Sequence, residues 1–470
     1  MKSCANPSIL EAAMRGVDAA PSYFLHPELE RRLRHGGEHP PALTPPDLRL
    51  IAADLVESGQ RTAASLNSDR RLQTLGHLAT RFLDHTSPHR LTAERLLPAS
   101  TGYAPRMVAE ALDLLFRSLQ VPALEELVRS DRPRHPGRPP RLVFLIAAAT
   151  VFPPSIVGAT AALLLGSPVL IKSASAEPVA ATLWAHALAT RDSELARLVA
   201  VLPWPRTRLD LTRAAIEAAD AVLAHGDDTT IAAIRAAAPP TTRIIAHGHR
   251  VSAAILGASA LATDSVELAR GLARDVALYD QQGCLSPHTV FVEETSDTLP
   301  AREFAVLLAA ELSELERSWP RSRLDSAGAS SLRQFLLARE LAGDAVLGGY
   351  EAGWAVVLDR DPIEPELRFE YSPLGRTVIL KRAPSVAAAI DALAAVRDRL
   401  QAVGLAVSLR ERIALARRLG LYDDVDSNPD WAPKVRLCPV GTMQSPPLTW
   451  PADGQRPLGA LWIPATATAI

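Results

Sequence analysis

From Leu142 onward, short apolar runs alternate with Ala-rich amphipathic stretches, and that texture admits few folds. The first runs are Leu142 to Ala148, Val169 to Ile171, Ala221 to Ala224 and Arg243 to Ala246. Runs that are apolar throughout suit strands covered on both faces, and strands separated by helix-length segments pair in parallel. A second block of the same kind follows Arg250, with strand candidates at Ala253 to Leu256, Thr289 to Glu293, Ala355 to Leu358 and Thr377 to Leu380. Open parallel sheets collect ligands at the carboxyl ends of their strands, so a site is expected there.

Before Leu142 the periodicity changes. Ser22 to Arg34, Pro46 to Ser58 and Arg106 to Val128 carry apolar residues three and four apart, which predicts helices separated by Pro-rich breaks. Such a layer serves either as plain helical packing or as a cap or oligomerisation surface. Asp131 to Arg141 (DRPRHPGRPPR) has too much proline to continue a helix or a central strand, and marks a boundary or an exposed crossover. A length of 470 residues predicts about two or three domains.

A formal net charge of −2 provides no basic field for nucleic acid or an anionic membrane. The 3 cysteines, Cys4, Cys284 and Cys438, are too sparse for a disulfide framework and point to a reducing compartment, with the cytoplasm as the expected address. Glu11, Arg15 and Asp18 interrupt the apolar residues of the N-terminus, unlike a secretory signal. The longest apolar run, Ala161 to Ile171, is broken by Gly166 and Pro168 and is too short for membrane insertion. The 12 histidines include no HExxH and no CxxC exists, so no metal site is expected.

Chemistry concentrates in Tyr279 to Glu293, YDQQGCLSPHTVFVE, where a helix beginning near Ser265 runs into polar residues and then a strand. A thiol at such a junction, next to a glycine that lets substrate approach the backbone, is well placed as a nucleophile. The residues alone leave a second reading open, an ordinary buried cysteine.

This segment resembles the active-site stretch of the LuxC-type fatty acyl reductases, within the aldehyde dehydrogenase superfamily. Five other stretches match the same family in the same order: TGYAPRMV (Thr101 to Val108), VLIKSAS (Val169 to Ser175), AHGHRVSAAILG (Ala246 to Gly257), SPLGRTV (Ser372 to Val378) and RLCPVGTMQSPPLTW (Arg436 to Trp450). The resemblance implies an α/β, aldehyde-dehydrogenase-like fold with two parallel-sheet Rossmann-type domains and a helical N-terminal layer. The expected divisions are 1–141 for the helical region, 142–250 for a nicotinamide-cofactor domain, 251–425 for a catalytic domain and 426–470 for a C-terminal return segment.

Carried over residue by residue, the resemblance makes Cys284 the acceptor of the acyl group. Thiolate attack on an acyl thioester creates an oxyanion that needs donors, and the Cys284 N–H is the expected one. Lys172, with Ser173 and Ser175, resembles the superfamily's adenosine-ribose site; the alternative is a solvated lysine at a strand end. Relatives that prefer the non-phosphorylated cofactor often carry a glutamate three positions after this lysine. Ser175 at that position would not repel a 2′-phosphate, so the expected cofactor is NADPH with NADH as the alternative, and Glu177 nearby tempers that preference. Gly226 and Thr229, in HGDDTTI after Ala224, are carried over as the pyrophosphate turn. The bland reading of that turn is N-capping by Asp227 or Asp228, whose charges would not welcome phosphate. Glu370 falls near the superfamily's nicotinamide-ribose glutamate, and Cys438 reads as a packed thiol.

Several departures matter. Ordinary aldehyde dehydrogenases place a water-activating glutamate where this chain has Ala246, so an enzyme thioester is expected to survive until hydride or another acceptor meets it. His247 and His249 are candidate proton donors to the aldehyde oxygen, with a structural role as the alternative; His249 is the one singled out. The superfamily's oxyanion asparagine is missing from Ala149 to Pro153, which leaves Thr150 or backbone alone as donor. The family's C-terminal His-Asp-Gly reads Ala452-Asp453-Gly454 here.

The expected activity is reduction of an acyl thioester to an aldehyde. The acyl group would come from acyl-CoA, a carrier protein or an acyl-protein synthetase, and relatives of this fold commonly form dimers or tetramers. Two other readings stay open: a non-redox acyl-holding or scaffolding protein of the same fold, and an aldehyde oxidiser, the latter disfavoured by Ala246.

Overall fold

The computed structural model describes residues 22–33, 43–133, 135–149, 151–295, 300–360, 367–421 and 432–465. Helices dominate the first part: Pro27–Leu33, Pro45–Thr62, Ser68–Leu83, Pro88–Thr101, Pro105–Ser118 and Val121–Ser130. The first is shorter than the sequence periodicity suggests. Pro27 disfavours helix in the residue before it, and Phe24 instead forms an antiparallel bridge to Val201, with N···O distances of 2.7 and 2.8 Å. The single helix expected over Arg106 to Val128 is two, because Pro122 is tolerated in a first turn and not in a helix interior.

β1 (Gly137–Arg138) lies within the Pro-rich boundary segment. Next come β2 (Val143–Ile146), β3 (Val169–Ser173), β4 (Val199–Pro203), β5 (Ala221–His225) and β6 (Arg243–His247). These five form a wholly parallel sheet in the order β4-β3-β2-β5-β6. β2 is buried at every residue, because helices cover both faces, and this explains its unbroken apolar run. The strand order reverses between β2 and β5, the switch point at which such sheets open a crevice.

The remaining strands are β7 (Val251–Leu256), β8 (Pro287–Glu293), β9 (Ala345–Gly349), β10 (Trp354–Leu358), β11 (Thr377–Ala383), β12 (Leu400–Ala406), β13 (Arg436–Pro439) and β14 (Ile463–Pro464). Seven of them build a second sheet, β13-β12-β7-β8-β11-β10-β9, parallel except for β9. β4, β9, β12 and β13 were not among the strands expected from sequence. β12 (LQAVGLA) is interrupted by Gly404, whose missing side chain admits Met443; an added Cβ would lie 2.6 Å from its sulfur. β9 ends in two glycines and β13 in a proline, so strand propensity is weak in each. The helix Ala258–Ala277 leaves helical geometry once, at Asp264, and its regular part starts at the expected Ser265.

β6 ends at His247 and β7 starts at Val251, so the carboxyl edge of the first sheet feeds the amino edge of the second through three residues, 248–250. One apolar core runs through both sheets and the helical layer. The chain beyond β13 returns from the second sheet to the first, and β14 pairs antiparallel with β1. Asp131 accepts a 2.6 Å hydrogen bond from Leu458 N–H on the way. Among the described residues no helix is long and apolar enough to cross a membrane.

Candidate active site

Cys284 stands three residues before β8, at the amino edge of the second sheet. The turn that delivers it is strained: Tyr279, Asp280 and Gln281 have φ of 55°, 51° and 65°. Left-handed conformations at such residues cost about 1–3 kcal/mol each and persist only where surroundings enforce them. The enforcing contacts are visible. Asp280 accepts from Arg376 Nε at 2.8 Å and from Ser322 N–H at 2.9 Å. Gln281, fully buried, donates to the Pro287 and Thr377 carbonyls at 2.9 and 2.7 Å and accepts from Thr377 N–H at 2.8 Å. Tyr279 sits edge-on to Tyr103 and Phe152.

Arg376 is itself left-handed, φ 61°, after Leu374 and Gly375 at 68° and 63°. It also donates to Glu316 at 2.8 Å and to the Trp319 carbonyl at 2.6 Å. Two strained turns are thus bolted to each other. That is why TGYAPRMV, SPLGRTV and the Cys284 segment belong together.

Below the turn, Ser252 Oγ donates to the Cys284 carbonyl at 2.7 Å. Gln444 donates to Ser286 Oγ at 2.8 Å and to the Asp275 carbonyl at 2.9 Å. Asp275, pushed up to about 7 by burial, accepts from Gly441 and Met443 N–H at 2.6 and 3.0 Å, which ties the RLCPVGTMQS stretch to the helix before the thiol. Cys284 is a free thiol that reaches solvent. Desolvation, followed by the negative charge of Asp453, raises its thiol above the ordinary cysteine value, while its own N–H and the Arg250 charge act the other way.

Opposite lies the carboxyl edge of the first sheet. At the switch point His225 Nδ1–H donates to the Ile146 carbonyl at 3.3 Å, and burial, then neighbouring His247, holds its imidazole down at about 3. The His225 and His247 rings stack with centroids 4.9 Å apart. His247 Nδ1–H donates to Asp453 Oδ2 at 2.7 Å, and Arg250 Nε donates to Asp453 Oδ1 at 2.5 Å. Burial works to raise the Asp453 carboxyl, but these two partners hold it below the ordinary carboxylate range. Asp453 adopts φ 57° in a single turn, Ala452–Gly454, on the returning C-terminal segment. The sequence reading named His247 and Asp453 separately. Their pairing, and the part of Arg250, were missed because 206 and 203 residues separate the partners.

Lys172, half-buried at the end of β3, is lowered by burial and lies 5.7 Å from the Trp204 ring centroid. Next to it, at the end of β3, the buried Ser173 hydroxyl has no hydrogen-bond partner among the described residues. Ser175 is exposed, whereas Glu177 is buried and accepts from Val179 and Ala180 N–H at 2.8 Å each. Gly226 and Thr229 follow β5, and Asp227 caps the helix Asp228–Ala237 by accepting from Thr230 N–H at 2.7 Å. The bland capping reading of that turn is therefore realised.

Ala246 is buried on β6. His249 is exposed; its N–H donates to Asp228 at 3.3 Å. It stands near His288, which burial and then the His249 charge push down to about 4. The Glu370 carboxylate is engaged by Arg339 at 3.0 Å and Lys381 at 3.1 Å, in a charge cluster with Asp344 and Asp359. Cys438 is buried with its sulfur 3.9 Å from the Val403 carbonyl. Thr150 lies outside the described residues. Among the described residues no group of three or more His, Cys, Asp or Glu is arranged to hold a metal ion.

A family model described as acyl-CoA reductase (LuxC) matches residues 63–463. A long-chain acyl-protein thioester reductase of Aliivibrio fischeri is 26% identical over 269 residues, 54% of this chain and 52% of that protein. Long-chain acyl-protein thioester reductase 2 of Photobacterium leiognathi is 29% identical over 133 residues, 28% of this chain and 27% of that protein. The chain thus spans about half the length of the first of these relatives and about a quarter of the second. Among solved structures, aldehyde dehydrogenase 21 of Physcomitrella patens, in complex with the product succinate, superposes with a TM-score of 0.68 at 14% identity, covering 89% of this chain and 86% of that one. An NAD-dependent benzaldehyde dehydrogenase of Corynebacterium glutamicum gives 0.61 at 15% identity, covering 86% and 88%. These likenesses establish the aldehyde-dehydrogenase-like α/β fold.

Proposed function

The chain belongs to the acyl-CoA reductase (LuxC) family, and from that premise we propose that it moves an acyl group from a thioester donor onto Cys284 and reduces the resulting enzyme thioester to an aldehyde. The observation that carries this reading is a solvent-reaching thiol at the amino edge of one parallel sheet, facing the carboxyl edge of another, with Ala246 where a water-activating carboxylate would stand. Such an edge collects dinucleotides, and a thioester with no carboxylate at that position to activate water survives long enough to be reduced.

Lys172, Ser173, Ser175, Gly226 and Thr229 would hold the nicotinamide cofactor along the first sheet's strand ends; the unpartnered, buried Ser173 hydroxyl supports this fit. Bound there, the cofactor supplies a hydride to the carbonyl carbon of the Cys284 thioester. The carbon–sulfur bond then breaks, Cys284 departs as thiolate, and a solvent proton restores the thiol. In the acylation half, the Cys284 N–H stabilises the oxyanion and the donor thiol leaves with the proton lost by Cys284. NADPH is favoured over NADH because Ser175 and the inward-turned Glu177 present no free carboxylate to a 2′-phosphate. Both curated relatives are named as acyl-protein thioester reductases, which supports a protein-borne donor beside acyl-CoA.

One observation favours a second reading: Asp227 and Asp228 put two carboxylates at the helix start where pyrophosphate is expected, as in a non-redox acyl-holding protein. Incubating purified protein with NADPH and a panel of acyl-CoA and acyl-protein thioesters separates the two. Cofactor consumption with aldehyde release supports the reductase. Acylation of Cys284 without cofactor loss establishes the acyl holder, and acid formation from aldehyde plus NADP would point to an oxidiser.

A further inference from the structure

The residues after the strained turn form a second turn around the thiol itself. Ser286 N–H donates to the Gly283 carbonyl at 3.0 Å, which closes a β-turn with Cys284 and Leu285 at its centre. That closing bond uses neither group of the central peptide, the Cys284 C=O and the Leu285 N–H, so this peptide is the part of the turn that swings most easily. Ser252 Oγ holds it, donating to the Cys284 carbonyl at 2.7 Å. No other hydrogen bond engages the central peptide among the described residues. The direction of the hydroxyl follows from its other partner. Ala402 N–H can only donate, and it reaches Ser252 Oγ at 3.1 Å, so the one hydroxyl proton is left for Cys284. Ser252 is fully buried where β7 slips against both neighbours: Val251 and Ser252 face Leu400 and Ala402 on one side, while Ser252 and Ala253 face Pro287 and Thr289 on the other. Pro287 has no N–H to give that ladder. At this irregular point the hydroxyl joins β12, β7 and the turn before β8.

We propose that Ser252 is a positioning residue for Cys284: its hydroxyl ties the central peptide of the turn to β12, and so sets how the sulfur and the Cys284 N–H face an incoming thioester. This rests on the reading of Cys284 as the acyl acceptor. Acyl transfer asks two things of one residue at once. The sulfur must reach the carbonyl carbon, and the N–H must reach the oxygen that becomes negative. The Cys284 N–H shares a trans peptide with the Gly283 carbonyl, which Ser286 engages, so it points to the opposite side, away from the closing bond. The flanks of the turn have their own supports: Gln444 donates to Ser286 Oγ at 2.8 Å, and Leu285 packs against Ala402, Cys438 and Met443. Ser252 supports the middle. A swing of the central peptide changes ψ at Cys284, and the rotamers open to the sulfur change with the backbone. A thiol that had only to be exposed would need no such bond.

The test needs no cofactor. Transfer of the acyl group from octanoyl-CoA to Cys284 is timed by peptide mass spectrometry in the full chain, for the wild type, Ser252→Ala and Ser252→Thr. Alkylation of the same thiol by iodoacetamide is timed beside it. Alkylation needs the sulfur and no oxyanion donor, so it reports access to the thiol alone. In Ser252→Ala the acylation rate at saturating octanoyl-CoA should fall about tenfold or more, with the half-saturating concentration and the alkylation rate within about threefold of wild type. Ser252→Thr, which keeps the hydroxyl, should recover most of the rate. An alanine variant that is acylated at the wild-type rate overturns the proposal. One in which acylation and alkylation change by the same factor also overturns it, since that is the mark of a turn that has merely loosened. A folded Ser252→Thr no faster than Ser252→Ala does the same. Where circular dichroism shows that the added methyl prevents Ser252→Thr from folding, the ratio of the two rates in Ser252→Ala decides. Failure of the Cys284 reading shows separately, as a wild type that is alkylated at Cys284 and takes an acyl group there from no acyl-CoA or acyl-protein thioester, which removes the role together with the reading.

Discussion

The two sheet edges that meet in the cleft are built on opposite plans. The amino edge of the second sheet is locked: the turn before Cys284 is held in left-handed backbone by Asp280, Arg376, Gln281 and Thr377, all buried. The end of β3 on the carboxyl edge of the first sheet is more open, with Lys172 half-buried, Ser173 unpartnered among the described residues and Ser175 exposed. On the proposed reading, the difference teaches that an acyl-accepting thiol is held in one position against backbone strain, while strand ends that would take and release a ligand leave polar groups unengaged.

The contrast can be broken most severely at the sulfur. Cys284→Ala should abolish acylation seen by intact mass and lower aldehyde formation by at least ~10³-fold, with the unfolding temperature little changed because the thiol makes no structural bond. Next comes the lock. Arg376→Met strands Asp280, whose side chain is 1% exposed, and should lower stability by about 3–5 kcal/mol in denaturant unfolding. Adding Asp280→Asn should recover part of that stability and not the activity, if the pair serves to hold the turn.

Changes at the open edge should leave folding almost untouched. Ser175→Glu sets a carboxylate beside the proposed ribose site and should shift the ratio of kcat/KM values toward NADH by about tenfold, roughly 1.4 kcal/mol; an unchanged ratio would move the ribose elsewhere. Asp227→Asn is the mildest. Asparagine caps as well as aspartate, so stability should change by only a few tenths of a kcal/mol, while removal of one charge at the helix start should tighten the cofactor KM about twofold.

The first sheet was legible because β2, β3 and β5 are buried over nearly all their length and so read as apolar runs, while β6, at the edge, adds the short run Ile244 to Ala246. β12 was not, since its centre is a glycine that exists to admit Met443. Cys284 and its glycine were legible as a junction of helix and strand. The left-handed backbone of Tyr279 to Gln281 was not, because those residue types prefer other conformations and are held there by residues distant in sequence, Arg376, Thr377 and Ser322 among them. Asp453 had been noticed for its missing histidine neighbour; its value lies in what it grips, which sequence order conceals.

That grip has a consequence for synthesis. The ribosome makes Cys284 and both halves of the strained lock well before it reaches Asp453, so a growing chain exposes its sulfur without the carboxylate that orients His247. The contact that ties the C-terminal turn to the end of β6 and the start of β7 is therefore the last of this cluster to form during synthesis.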